Sequence, residues 1–211
     1  DRIKAPITAI ALNCENNRDE RSRYLLVENR KVENYVDMAL YYARMDAVYK
    51  DYMIAESNLQ EVAQQVLLQN KYYLIQSHVK AEVACPDTVY SDKKWIAFIL
   101  NQLIQNSVKY GRSEGTHIQI VTKKTKSGVL LWVKDDGIGI PKEELPRIFE
   151  KGFTGTNGRN RERSTGMGLY LCRKLCDKLN IEIRAESAEG KGTEIILMFP
   201  VSEYLTGYRE T

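Results

Sequence analysis

The sequence lacks most of the features that would place it at a glance. No apolar run exceeds about six residues, Met38 to Ala43 with Tyr counted, and a spanning helix needs about 20. No signal peptide opens the chain. It begins at Asp1 without Met, so we expect a fragment of a longer protein, with any membrane anchor outside it. Histidine is scarce: His78 and His117 are the only two, and they are remote in sequence. The four cysteines, Cys14, Cys85, Cys172 and Cys176, are too scattered for a disulfide framework, which points to a reducing compartment. Cys172 and Cys176 suit one helix face, but zinc needs about four ligands, and the pair reads as packing. Charge of one sign is also missing: 31 basic against 28 acidic side chains leave +3, too balanced to argue for nucleic acid.

What remains is an ordinary globular composition, 43% hydrophobic and 28% charged, which excludes disorder and fibrous repeats. The 211 residues suffice for one large domain or for a small and a medium one. Residues 1–50 read as the small one. Ile3, Ile7, Ile10 and Cys14 step by 4, 3 and 4, the rhythm of a helix with a narrow apolar seam. Glu15 to Asp19 breaks that pattern as a tight connection. A longer helix then places Leu25, Val32, Val36, Ala39 and Ala43 on its inner side. The pair forms an antiparallel hairpin. One hairpin buries only part of its seam. We therefore expect a second copy and a four-helix bundle, with packing on the same chain as the bland alternative.

Residues 51–56 read as a linker, and Ser57-Asn58-Leu59-Gln60 fits a capping box. Leu59, Val62, Ala63, Val66 and Leu67 continue an amphipathic helix. Strands are expected near 79–84 and 88–91. Asp92 caps a helix carrying Trp95, Ile99, Leu103 and Val108. Strands near 116–124 and 129–135 follow, with Ser127-Gly128 as their turn. A helix over 166–179 and strands near 181–187 and 193–200 complete a domain over 57–203. Helices segregated from a mostly antiparallel sheet make the fold class α+β.

Four segments carry chemistry. In Asn101 to Tyr110, Asn106 and Lys109 share a helix face. A neutral carboxamide oxygen suits Mg²⁺, and a lysine one turn on reaches phosphate as a point charge. A solvated helix end would look the same. In Val133 to Pro141 a strand ends in Asp135, followed by Gly137 and Gly139. Such a carboxylate can accept a hydrogen bond from an exocyclic amine, and glycines let the backbone turn close to a ligand. An ordinary Asp-Gly turn is the alternative. Ser164-Thr165-Gly166-Met167-Gly168-Leu169 opens a helix whose free amides would favour phosphate. Gly190-Lys191-Gly192-Thr193 alone is only a hairpin turn. Between the second and third lies a polar stretch from Phe149 to Arg163, with Gly152, Phe153 and three arginines, suited to a lid over a nucleotide or to a plain surface loop.

Order and spacing together are stronger than any one segment. The series Asn106-xx-Lys109-Tyr110, Asp135-x-Gly137-x-Gly139, Phe149/Phe153, Gly166-x-Gly168 and Gly192-Thr193 resembles the nucleotide boxes of the Bergerat-fold ATPases. More narrowly, it resembles the ATP-binding domain of bacterial sensor histidine kinases. The likeness covers essentially the whole chain. Residues 1–50 resemble the dimerisation and phosphotransfer hairpin of those kinases. Asn34 to Arg44 is similar to short-input sensors found beside peptide-antibiotic transporters.

The resemblance implies ATP and Mg²⁺ as ligands, with Asn106 on the metal, Lys109 on phosphate and Tyr110 lining the pocket. It implies that Asp135 reads the adenine amino group while Gly137 and Gly139 let the backbone pass the base. Gly166 and Gly168 with neighbouring amides would cradle the phosphates under a lid of about 150–165. Thr193 and Gly192 would close the floor. Ile140, Gly152, Phe153, Met167 and Leu169 fall around the same nucleotide. Two departures are mild: Gln102 stands where the earlier box asparagine is expected, and Ser164-Thr165 replaces a further glycine.

The departure at the start is larger. The family motif H-E-x-K-T-P reads Asp1-Arg2-Ile3-Lys4-Ala5-Pro6 here, which puts Asp1 at the phosphoacceptor histidine. A carboxylate is no substitute for a neutral imidazole nucleophile, and Arg2 stays protonated. Three explanations stand: an engineered change at Asp1, a natural pseudokinase, or a shifted alignment with the histidine just upstream. The resemblance therefore implies a sensor kinase core acting through a homodimer and a response regulator receiver domain, with a membrane transporter as a further partner. The parent would sit in the bacterial cell membrane with this part cytoplasmic. The rivals are an ATP-gated dimeric scaffold without transfer activity, another Bergerat-fold ATPase, and a nucleic-acid binder using Lys123, Lys124, Lys126 and the arginines at 159, 161 and 163.

Overall fold

A computed structural model of the chain describes residues 4–16, 19–44, 52–156 and 165–201. Two compact units divide it, Asp1–Tyr52 and Met53–Thr211. Asp1 and the arginines at 159, 161 and 163 lie outside the described residues.

The first unit contains helices α1 (Lys4–Asn16) and α2 (Glu20–Arg44). Asp19 caps α2: its Oδ1 accepts the Ser22 amide at 2.6 Å. Hydrogen bonds from the Ser22 hydroxyl and amide hold the Asp19 carboxyl below its usual value. The two helices meet along Ile7, Cys14 and Val27, all buried, and Asn29 Nδ2 donates to the Ile7 carbonyl at 2.8 Å. The seam read from the sequence is wider than this contact. Ile10, Leu25 and Val32 were expected inside and are exposed, because two helices share only one line of contact.

The second unit opens with β1 (Ala55–Asn58), so Ala55 and Glu56 are strand rather than linker. Ser57 does not cap the next helix. Its hydroxyl is buried and donates to the Ser91 carbonyl, while Asn58 accepts the Glu61 amide at 3.1 Å as the cap of α3 (Leu59–Gln69). A short α4 (Lys71–Gln76), which the sequence pattern did not mark, leads to β2 (Val79–Ala84) and β3 (Thr88–Ser91). Asp92 then caps α5 (Lys93–Lys109) by accepting the Lys94 and Trp95 amides. Next come β4 (Thr116–Thr125), β5 (Gly128–Asp135), α6 (Gly168–Lys178), β6 (Glu182–Ala188) and β7 (Gly192–Pro200).

Strands β2-β4-β5-β7-β6 form one sheet in that order, with β2·β4 parallel and the other pairs antiparallel. β1 and β3 make a separate antiparallel pair. The alternation of the strands puts Ile118, Ile120, Leu131, Val133, Ile195 and Leu197 into the core. Ile96, Ile99, Leu100 and Leu103 of α5 meet them at helical spacing, and α3 and α6 flank α5. This is one helix layer on one sheet layer, the α+β class expected. Cys172 and Cys176 lie buried in α6, where burial pushes the Cys176 thiol up to about 12.

Ile99 is fully buried at this layer boundary. Ile99→Ala is expected to destabilise the second unit by about 2–5 kcal/mol, read as a lower urea midpoint with an unchanged slope.

Candidate functional site

Asp135 ends β5, and Thr193 is its register partner at the start of β7. The C-terminal turn of α5 lies over this edge, so helix and sheet open there into a cleft of about 760 Å³, its mouth included. Of the residues singled out in the sequence, Asn106, Tyr110, Asp135, Gly139, Ile140, Phe153, Leu169 and Thr193 line this one cleft. Leu103, Ile148 and Ile195 add apolar wall.

Asp135 is the best-held group in it. Oδ1 accepts the Gly137 amide at 3.0 Å and the Thr193 amide at 3.2 Å. Oδ2 accepts the Ser107 hydroxyl at 2.8 Å. Burial pushes the carboxyl above its usual value, and the Asp136 charge adds to this, while the three hydrogen bonds pull it down. The next loop is packed against the β6–β7 turn. Gly190 donates to the Ile138 carbonyl at 2.7 Å, and Ile140 donates to Ser187 Oγ at 2.9 Å. Gly139 has φ +70°, and a Cβ there would overlap the Ala188 carbonyl oxygen, so only glycine allows this approach.

The remaining expected residues flank the cleft. Gly152 donates to the Gly166 carbonyl at 3.1 Å, which joins the two ends of the stretch between them. Gly166 has φ +65°, and a Cβ there would lie 2.7 Å from the Gly152 carbonyl oxygen. Met167 precedes α6, and Gly168 is its first residue. The Gln102 carboxamide stands against Gly168, its Oε1 2.9 Å from where a Cβ would be. Lys109 lies beside Tyr110, its ammonium 5.9 Å from the ring centroid, and outside the cleft wall. The expected lid is described only at its ends, since 157–164 lie outside the described residues.

Among the polar residues of this wall, sequence reasoning missed Ser107 and Glu144. Ser107 follows Asn106 directly, and only the fold turns it onto Asp135. Glu144 Oε1 accepts both the amide and the hydroxyl of Thr156, at 2.8 and 2.6 Å, and one acid among Glu143 and Glu144 carries no signal of its own. Chemically, the cleft offers the half-buried Asp135 acceptor, apolar walls for a flat ring, and the Asn106 carboxamide. Among the described residues no three His, Cys, Asp or Glu side chains gather to hold a metal by themselves.

The raised Asp135 carboxyl has a definite sign. The folded state binds this proton more tightly than the unfolded chain, so stability is lost as pH rises from the ordinary carboxylate range through the folded value. An asparagine there can keep both amide bonds and donate to Ser107. The stability of Asp135→Asn relative to the parent is therefore expected to rise between pH 4 and pH 7 in thermal denaturation. A flat difference would refute the assignment.

A family model described as "Histidine kinase-, DNA gyrase B-, and HSP90-like ATPase" matches residues 91–203. The sensor protein kinase GraS of Staphylococcus aureus (strain JH1) is 36% identical over 205 residues, covering 94% of this chain and 58% of that protein. The chain thus spans under two thirds of the length of the curated relatives it matches. Among solved structures, Acinetobacter baumannii histidine kinase AdeS is 20% identical with a TM-score of 0.66, covering 95% of this chain and 98% of that one. Histidine kinase ThkA in complex with response regulator protein TrrA is 22% identical with a TM-score of 0.62, covering 95% and 59%. The two structures bear on the fold alone. The cleft framed by α5, β5 and β7 falls within the matched residues, and the chain belongs to the histidine kinase-, DNA gyrase B- and HSP90-like ATPase family, where it groups with the bacterial two-component sensor histidine kinases.

Proposed function

We propose that the second unit binds Mg-ATP for transfer of the γ-phosphoryl group to a histidine and on to a response regulator, with Asp1 standing at the acceptor histidine's position in this chain. The observation that carries this reading is Asp135: a half-buried acceptor, held by three donors, in the wall of an apolar cleft. A planar base between Leu103, Ile140, Ile148 and Ile195 presents its exocyclic amine to that carboxylate. The ribose and phosphates then run toward Asn106 and the start of α6.

The residues present fit the rest of the ligand. Gln102 Nε2 is buried with no hydrogen-bond partner, beside Gly168 where α6 begins. A leftover donor next to a helix N-terminus suits an anionic oxygen. Asn106 offers one neutral oxygen, and Mg²⁺ takes its other ligands from phosphate and water. Bound there, the ion offsets charge on the transferred phosphoryl group. Lys109, one turn after Asn106, adds a point charge at the phosphate end.

The exposed Ile10, Leu25 and Val32 support a homodimer through the hairpin. The ThkA complex supports a response regulator as partner, and the likeness of Asn34 to Arg44 to short-input sensors is what supports a membrane transporter. No helix among the described residues is long and apolar enough to cross a membrane, so membrane attachment of the parent rests on the family. Asp1, Arg2 and Ala5 favour a second reading, an ATP-gated dimeric scaffold without transfer.

Asp135→Asn places a donor against the adenine amine and is expected to weaken ATP binding more than about tenfold in titration calorimetry, with folding retained. Asp1→His is expected to acquire label from γ-labelled Mg-ATP while the parent chain does not. Labelling of neither, with ATP bound by both, selects the scaffold reading.

A further inference from the structure

The loop 136–141 after β5 lines the cleft with Gly139, Ile140 and Pro141, and a second loop, 189–191 between β6 and β7, packs against it from outside. Asp135 Oδ1 takes one hydrogen bond from the Gly137 amide on the first loop and one from Thr193, just past the second. Thr193 is set by its strand pairing with Asp135, so the orientation of that carboxylate varies with where the first loop, packed against the second, places Gly137. Arg112 sits outside the cleft, in the turn after α5, and reaches both loops. Its Nε donates to the Asp136 carbonyl at 2.7 Å and to the Gly137 carbonyl at 3.4 Å, and its Nη2 donates to the Gly190 carbonyl. The backbone that carries it is fixed too: the Arg112 amide donates to Thr116 Oγ1 at 2.9 Å, and its carbonyl accepts the Gly115 amide at 3.2 Å. A guanidinium is a rigid planar fork of donors, so it sets a spacing between carbonyls that a flexible ammonium does not.

We infer that Arg112 is a positioning residue for base selection: it fixes the separation of the two loops and so aims Asp135 at the exocyclic amine, without touching the base. This rests on the nucleotide reading above. A surface arginine that merely adds stability would touch these same carbonyls, so the test must read selectivity and not only affinity.

The probes are ATP and ITP with Mg²⁺, titrated calorimetrically into the full chain and its Arg112→Ala and Arg112→Lys variants. ITP carries a carbonyl in place of the amine. Arg112→Ala is expected to weaken ATP about five- to twentyfold and ITP less than about threefold, so that the ATP-to-ITP preference collapses. Arg112→Lys is expected to behave like the alanine variant. The melting temperature without nucleotide, recorded alongside, shows that each variant is folded at the titration temperature. An unchanged ATP-to-ITP ratio overturns the inference, whether both affinities hold or both fall, and so does full recovery of selectivity by lysine. If the parent chain itself binds neither nucleotide, the nucleotide reading fails and this inference with it, an outcome recognisable before any variant is compared.

Discussion

The fold converges on one half-buried carboxylate. Removing an ionised Asp from water is costly unless hydrogen bonds replace its hydration. Asp135 receives them from three separate elements: Ser107 on α5, Gly137 in the following loop and Thr193 on β7. None of these donors is useful unless the helix lies over the sheet at one height and β5 pairs with β7 in one register. A slip of β7 by one residue in that pairing would turn Thr193 away and send Ile195 to the wrong face. The polar site and the apolar core are thus two expressions of the same alignment.

Helix α5 carries both. Its middle presents Ile96, Ile99, Leu100 and Leu103 to the sheet, and its last turn presents Asn106, Ser107 and Tyr110 to the cleft. Packing of the first part fixes the angle of the second. The Tyr110 carbonyl continues this role beyond the helix, accepting the Ile138 amide at 3.0 Å and so tying the end of α5 to the loop that carries Gly137 and Gly139.

Much of this was readable in the sequence because it is periodic or depends on a special residue. The alternation in β4, β5 and β7, the 3–4 spacing of α5, the Asp92 cap and the spacing of Asp135, Gly137 and Gly139 each leave a local trace. What was not readable lacks one. Ser57 seemed a cap, yet pairing with β3 claimed it and left the cap to Asn58. Short α4 has too few residues to show a period. In the hairpin, Leu25 and Val32 follow the apolar rhythm correctly, but rhythm does not say what a face meets. Ser107, Glu144 and Arg112 act through partners 12 to 78 residues away, and no short window holds both ends of such a contact.

The hydrogen bond between Gly152 and Gly166 has a consequence for how this region can vary. With its two ends joined at the base, the intervening chain is a closed loop whose ordering cost grows only with the logarithm of its length. Doubling it adds about 0.6 kcal/mol. The two glycines are held by backbone geometry, and Phe153 and Thr156 by the cleft wall and Glu144, so it is the number of residues after Thr156 that the closure leaves free. Insertions and rewritten sequence should therefore accumulate inside this loop in descendants of the fold, while its two glycine posts stay put.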